Sequence, residues 1–133
     1  MQIDFQRLMR AGNGDAEFRL MSRFLDTRLE LQIGKDRHQI DIHDGEILAI
    51  RPADDETHLA HPSTILIKAP EDDWRRYLEA VPRPFYQDLW AAQTHHGFEV
   101  IGDRATFHAY YRATARLLEV LRAIVNDDRE EAA

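Results

Sequence analysis

The sequence predicts an α+β fold in which one long C-terminal helix packs against a sheet. Two patterns lead to this prediction. From Phe107 to Val125, apolar residues recur at three- and four-residue spacing, which places them within about 140° of a helix circumference. Between Thr27 and Ala69, apolar and polar residues alternate in short runs separated by turn residues, as in half-buried strands. Because such a helical stripe must be buried, we expect the strands to form the surface that it covers.

Length and composition favour a single intracellular domain. The chain has 133 residues, of which 44% are hydrophobic, and this is enough for one compact core. We therefore predict one domain over residues 1–126 and an acidic, disordered tail at 127–133. Cysteine is absent, which excludes disulfides and thiolate metal sites. No apolar run reaches the roughly 18 to 20 residues of a membrane span, and no signal peptide is recognisable, so we expect a cytoplasmic protein without stable membrane insertion.

The charge distribution argues against several classes of partner. The net charge is −7, and the arginines are scattered among acids, so we expect no nucleic-acid binding. An anionic membrane surface would also repel the chain on average. The glycine-containing stretch AGNGD at 11–15 lacks the lysine and the spacing of a phosphate-binding loop. We therefore predict no nucleotide and no other cofactor.

Two short helices are predicted before the first strand. Residues 2–10 fit a helix with its apolar residues on one side, whereas AGNGD at 11–15 is typical of a loop. Residues 17–25 fit either a helix or an alternating strand, and we favour the helix.

Four strands follow, and we predict that they pair as antiparallel neighbours. They cover residues 27–33, 37–43, 46–52 and 63–69, with a polar loop at 53–62 between the last two. Asp44-Gly45 is the strongest hairpin signal in the chain, because this dipeptide readily adopts the positive φ angles of a two-residue turn.

The C-terminal half is predicted to contain two helices, a fifth strand and the long helix. These elements are a helix over 71–81, a helix over 84–96, a strand after Gly97 and a helix from Arg104 to Val125. Gly102 permits a sharp reversal, and the Asp103 carboxylate can accept from the free amides of the first helical turn. Arg112 and Arg116 are predicted on the side of the long helix away from the sheet, where truncation of Arg116 should cost less than about 0.5 kcal/mol.

Three motifs in this order resemble the sterol carrier protein 2-like family of lipid-binding domains. They are the Asp44-Gly45 hairpin after IDIH, the passage TILIKAPEDDW, and GFEVIGD before the final helix. The resemblance covers roughly residues 26–124 and places the domain core at 26–125. It implies a five-stranded, mostly antiparallel sheet covered by helices, with an apolar tunnel that accepts acyl chains, sterols or other lipids. The chain differs from many members at 82–97, where bulky PRPFYQDLWAAQTHHG replaces a helix containing glycine and methionine.

Aromatic residues between Trp74 and Tyr111, together with the resemblance, predict a ligand site. Aromatic residues at helical spacing can form a filled core or line a cavity, and the spacing alone favours the filled core. With the resemblance, we predict noncatalytic binding of a small apolar or amphipathic ligand between the sheet and the C-terminal helices. The expected ligand-contacting residues are Phe85, Leu89, Trp90, Phe98, Phe107 and Tyr111.

Two other functions stay open at this point. A small enzyme of the cyclase or isomerase type could use Asp41 and His43, spaced i, i+2 on one strand, or His108 as acid–base groups. No nucleophile accompanies these residues, so we lean against catalysis and assign no catalytic residue. The third possibility is a structural domain whose aromatic cluster is solid core or a homodimer surface.

The seven histidines do not predict a metal site. His58 and His61 lie near Asp54, Asp55 and Glu56 in the polar loop. No helix aligns the two imidazoles and no third ligand has a fixed position, so we predict no metal.

Overall fold

The computed structural model describes residues 1–53 and 62–132. Helices α1 (Phe5–Gly14) and α2 (Ala16–Met21) precede strands β1 (Asp26–Ile33), β2 (Asp36–His43) and β3 (Glu46–Pro52). Strand β4 (Thr64–Ala69), helices α3 (Glu71–Tyr77) and α4 (Leu89–His95) and strand β5 (Glu99–Gly102) follow. Helices α5 (Arg104–Ala109) and α6 (Tyr111–Ala132) complete the described chain.

The five strands form one sheet in the order β3-β2-β1-β4-β5. The β1–β2, β2–β3 and β4–β5 pairs are antiparallel, whereas β1 and β4 are parallel. The predicted five-stranded, mostly antiparallel sheet is therefore confirmed, but the prediction that the first four strands are all antiparallel neighbours is wrong. Strand β4 adds to the free edge of β1, and its consecutive residues Ile65, Leu66 and Ile67 are all buried, as expected of a strand inside a sheet.

The predicted hairpin between β2 and β3 is present. Asp44 and Gly45 both have positive φ, 46° and 79°, the conformation that two-residue hairpin turns require. The Asp44 carboxylate also accepts from the backbone N–H of Phe24 at 2.9 Å. The turn is therefore attached to the connection between α2 and β1.

One face of the sheet carries the core. Leu29 and Leu31 of β1 are buried and pair across the sheet with apolar residues of β4. Helix α6 covers this face and packs against α1 and α2 as well. The buried members of the predicted stripe are Phe107, Thr114, Leu117, Leu118, Leu121, Ile124 and Val125, so the assignment of the buried helix face is confirmed.

The N-terminal helix extends further than predicted. Helix α1 includes the AGNG part of the predicted loop and ends at Gly14. The side chain of Asn13 accepts from Ile47 N at 2.8 Å and donates to Ile47 O at 3.0 Å. These two bonds hold the glycine-containing end of α1 against β3, which offsets its low helix propensity.

The long C-terminal helix is divided and ends later than predicted. Tyr110, with φ −114° and ψ 30°, separates α5 from α6. Helix α6 then continues through residues 127–132, for which the sequence predicts a disordered tail. Arg7 donates to Asp127 at 3.2 Å and to Asp128 at 2.5 Å. These ion pairs attach the acidic last turns of α6 to α1.

Arg116 is not a free surface residue, contrary to the sequence-based prediction. Its Nε and Nη2 donate to the two carboxylate oxygens of Asp15 at 2.9 and 2.8 Å. Glu17 and Glu119 each lie 3.0 Å from the same guanidinium. Because Asp15 connects α1 and α2, Arg116 fastens both N-terminal helices to α6.

Candidate functional site

A small cavity, here called the central cavity, lies between the sheet and the beginning of α6. Its lining residues come from α2, the following turn, three strands and α6: Phe18, Leu25, Thr27, Leu29, Ile42, Ile65, Ala113, Thr114 and Leu117. The cavity has a volume of about 10 Å³, close to the minimum that accommodates one water molecule. Side chains therefore fill nearly all of the space between the sheet and this part of α6.

The central cavity has no charged residue in its lining, and its polar side chains are Thr27 and Thr114. The Thr27 hydroxyl lies 2.9 Å from the Ser63 hydroxyl. Ser63 in turn donates to Asp103 at 2.8 Å. Asp103 caps α5, and hydrogen bonds from Thr106 and Ser63 hold the pKa of its carboxyl below the ordinary value. The polar side of the cavity is thus connected to the beginning of α5.

The six predicted ligand-contacting residues differ widely in exposure. Leu89, Phe98 and Phe107 are buried and Tyr111 is half-buried. Phe85 and Trp90 are 45% and 55% exposed. None of the six lines the central cavity.

Three of these residues come together at the break between α5 and α6. The Tyr111 hydroxyl accepts from the backbone N–H of Trp90 at 3.0 Å, and Phe107 meets the Tyr111 ring edge-to-face at 5.7 Å. Burial raises the pKa of Tyr111, so its hydroxyl stays protonated at neutral pH. The hydrogen bond between Trp90 N and the Tyr111 hydroxyl joins the beginning of α4 to the beginning of α6. Leu89, the residue before Trp90, is the first residue of α4.

Phe98 and Phe85 lie in other environments. Phe98 packs against Trp74 and Tyr77 at ring-centroid distances of 4.9 and 5.2 Å. Trp74 donates its indole N–H to Gln32 O at 2.8 Å, so this group is well-anchored core. Phe85 stacks on His95 at 3.8 Å. The predicted set is therefore brought together only in part.

The segment between α3 and α4, residues 78–88, lacks the helix that the sequence predicts over much of it. Pro82 and Pro84 interrupt the helical hydrogen bonding, and Phe85 has a φ of 66°, which a bulky side chain rarely adopts. Tyr86 anchors the segment, because its hydroxyl donates to Asp73 at 2.6 Å. Val81, at 83% exposure, contributes little to the core.

Two residues of α6 hold both ends of this segment. Arg122 donates to Tyr77 O at 2.7 Å and to Tyr86 O at 3.4 Å. Asn126 donates to Leu78 O at 2.8 Å. The segment is thus attached to α6 by side-chain bonds to its backbone carbonyls, and its Leu78 and Tyr86 side chains are buried in the core.

The acid–base candidates from the sequence each have their own contacts. Asp41 is on the sheet face away from α6, 3.2 Å from Arg28 and 3.2 Å from Arg51. His43 is exposed, with Nδ1 3.7 Å from Asp26. His108 is also exposed, on α5, 6.0 Å from the Trp90 ring. Asp41 and His43 therefore contact different partners.

Neither a metal cluster nor a membrane-spanning helix is found in the described part of the chain. Among residues 1–53 and 62–132, no group of three or more His, Cys, Asp or Glu side chains is arranged to hold a metal ion. His58 and His61, with Asp54, Asp55 and Glu56, for which the sequence predicts no metal site, lie outside the described residues. No helix within the described ranges is long and apolar enough to cross a membrane.

Comparison with known proteins identifies the fold. No family model and no curated protein matches the sequence. A crystal structure of sterol carrier protein 2 is similar, with a TM-score of 0.68 and 17% identity over 90% of this chain and 93% of that one. The solution structure of a conserved hypothetical protein from Thermus thermophilus, described as a candidate sterol carrier protein, has a TM-score of 0.65, with 17% identity over 90% and 84% of the two chains. The chain has a sterol carrier protein 2-like fold.

Proposed function

We propose that this chain is a noncatalytic binding domain for a small apolar or amphipathic ligand, such as a lipid, a sterol or an acyl chain. The observation that supports the proposal is the fold, because one of the similar structures is named as a sterol carrier protein. We place the ligand at the central cavity, which lies between sheet and helices and has no charged residue in its lining. We place this activity in the cytoplasm, without stable insertion into a membrane.

Ligand binding requires the central cavity to expand. Pockets that hold small organic ligands have volumes of roughly 300 to 1,000 Å³, whereas the central cavity has about 10 Å³. The break at Tyr110 and the irregular segment 78–88 are two places where the helical layer departs from regular helix. We propose that α4 and this segment move outward when the ligand enters.

The proposed entry path passes between α4 and the beginning of α6. Its residues are Phe85, Leu89, Trp90, Phe98, Phe107 and Tyr111. Tyr111 lies two residues before Ala113, which lines the central cavity. Opening the path would break the hydrogen bond between Trp90 N and the Tyr111 hydroxyl. The exposed indole of Trp90 is therefore a natural reporter of ligand entry.

The proposal is tested by titrating fatty acids of increasing chain length while tryptophan fluorescence is recorded. Trp74→Phe isolates the Trp90 signal. Binding should be saturable, and because each buried methylene contributes about 0.8 kcal/mol, affinity should rise roughly fourfold per added carbon until the cavity is full. If no ligand perturbs Trp90 below its aggregation concentration, the proposal is rejected.

A variant that fills the cavity separates this site from nonspecific adsorption. Ala113 lines the central cavity and is buried, whereas Ala123 is an exposed alanine on the same helix. Ala113→Leu should weaken fatty-acid binding at least tenfold, and Ala123→Leu should leave it unchanged. Circular dichroism is used to check that both variants are folded. Equal binding by the two variants would place the ligand elsewhere.

A further inference from the structure

A larger opening, here called the N-terminal cleft, lies at the other end of β1 and α6. It has a volume of about 540 Å³, within the range of pockets that hold small organic ligands. Its lining residues are Met1, Gln2, Ile3, Asp4, Phe5, Ile33, Asp36, His38 and Asp128. It shares no residue with the central cavity.

One wall of the N-terminal cleft is apolar and partly rigid. Ile33 is buried at the end of β1, and Phe5 begins α1. The Phe5 ring stacks on the His38 imidazole at a centroid distance of 4.1 Å. This pair attaches the N-terminal segment to β2. The wall therefore presents aliphatic and aromatic surface suited to the hydrocarbon part of a ligand.

The charged side chains that line the cleft are acidic. They are Asp4, Asp36 and Asp128, and neither lysine nor arginine is in the lining. Burial lowers the pKa of His38, an effect that nearby Asp36 opposes. The imidazole is therefore mainly neutral at neutral pH and does not compensate the carboxylates. Its Nδ1 is buried and has no hydrogen-bond partner among the residues that the structure describes.

Two positive charges near the cleft pair with other acids. Arg7 donates to both Asp127 and Asp128, so the charge of Asp128 is partly compensated. The Met1 amino group donates to Glu71, which also pairs with Arg75 at 3.3 Å. Asp4 accepts from Arg7 N at 3.0 Å as the N-cap of α1 but has no arginine or lysine side chain within ion-pair distance in the described chain. Asp4 and Asp36 are thus the carboxylates of the lining that have no ion pair among the described residues.

We propose that the N-terminal cleft binds a small organic cation, a protonated amine carrying an apolar group. The ammonium would be attracted by Asp4 and Asp36, and the Phe5 ring adds a favourable surface for a cation. The hydrocarbon part would contact Ile3 and Ile33. The same carboxylates disfavour a ligand of equal length that ends in a carboxylate. This site is separate from the proposed lipid-binding site and does not depend on it.

Isothermal titration calorimetry at pH 7.5 and low salt tests the proposal with three probes of equal chain length: octylammonium, octanol and octanoate. The titrations are made with the Ala113→Leu variant, in which the central cavity is filled. Octylammonium should bind saturably at one per chain, octanol at least tenfold more weakly, and octanoate not measurably. Equal binding of octanoate and octylammonium by this variant would overturn the proposal.

Variants then distinguish a local site from attraction to the net charge. Asp4→Asn with Asp36→Asn should weaken octylammonium binding at least tenfold, and asparagine retains the capping ability of Asp4. The control, Asp72→Asn with Glu131→Gln, removes two exposed acids elsewhere and should change binding less than twofold. If the double variant is unstable, the single variant Asp36→Asn replaces it in the binding test. Equal losses of octylammonium affinity in the test and control variants would refute the local site.

The Ala113→Leu variant keeps the two proposals apart. It should leave octylammonium binding unchanged because Ala113 is not in the N-terminal cleft. If it weakens octylammonium binding, the amine occupies the central cavity and the cleft proposal fails, whatever the outcome of the fatty-acid titration.

Discussion

Replacing Arg116 by methionine should destabilise the protein in a pH-dependent manner. The guanidinium contacts both oxygens of Asp15, and the two side chains are only 30% and 18% exposed. Arg116, aided by the backbone N–H of Phe18, lowers the pKa of Asp15 from its ordinary value of 3.8 to about 2. Methionine keeps an apolar stem of similar length and removes the charge.

The size and direction of the effect follow from this pKa. At about 1.4 kcal/mol per pKa unit, the lowering corresponds to at most about 2.5 kcal/mol. Partial exposure and the contribution of Phe18 N–H reduce the share of Arg116 to roughly 1 kcal/mol. Between pH 4 and 2 the folded state binds fewer protons than the unfolded state, so this stabilisation is present above pH 4 and is lost as the pH falls towards 2.

Urea unfolding of the wild type and of Arg116→Met between pH 7 and pH 2 measures the effect. The difference in free energy of unfolding should be about 1 kcal/mol at pH 5 to 7 and should shrink as the pH falls from 4 to 2. Arg112→Met, at an exposed position on the same helix, should show little difference at any pH. If the difference in free energy of unfolding between the wild type and Arg116→Met stays constant down to pH 2, Arg116 acts through packing. The ion-pair reasoning would then be refuted.

Three further outcomes are expected from stability and composition measurements. Leu121→Ala truncates a fully buried side chain and should lower the free energy of unfolding in urea by about 2 to 5 kcal/mol; a loss below about 1 kcal/mol would contradict its central position. Gly102→Ala should unfold the protein or cost several kcal/mol, because φ is +108° and a Cβ would clash with Thr64 O. Its control, Gly14→Ala, meets no atom within 4 Å in a helix and should be neutral or stabilising by up to about 1 kcal/mol. The purified protein should contain no stoichiometric transition metal, and elemental analysis showing one zinc per chain would contradict this.

The sequence predicts those parts of the fold that depend on local periodicity. Alternation assigns Leu29 and Leu31 to the buried sheet face, and Asp44-Gly45 predicts its hairpin, because both signals are contained within a few residues. Alternation does not encode strand order, so the parallel pairing of β1 with β4 was not predictable from it. Helical periodicity likewise does not detect a one-residue interruption such as Tyr110.

The candidate sites depend on contacts between distant parts of the chain. Thr27 and Thr114 line one cavity but come from β1 and α6, and each fits an ordinary core position in its own element. The N-terminal cleft joins Phe5, Ile33 and Asp128, and no local motif marks these residues. The predicted aromatic set follows helical spacing, which does not distinguish Phe98, packed in the core beside Trp74, from Trp90 at the surface.

The parallel pairing of β1 with β4 has a consequence for the order of folding. Thr27 and Ser63, bonded at the beginning of this pairing, are 36 residues apart in the chain, whereas β1 and β2 are joined by a short turn. Closing the longer loop costs roughly 2 kcal/mol more conformational entropy. We therefore expect the β1–β2–β3 hairpins to form early, leaving one edge of β1 exposed until β4 arrives. The polar residues Arg28, Glu30 and Gln32 on this strand would then discourage intermolecular pairing at the unfinished edge, which protects the folding chain from aggregation.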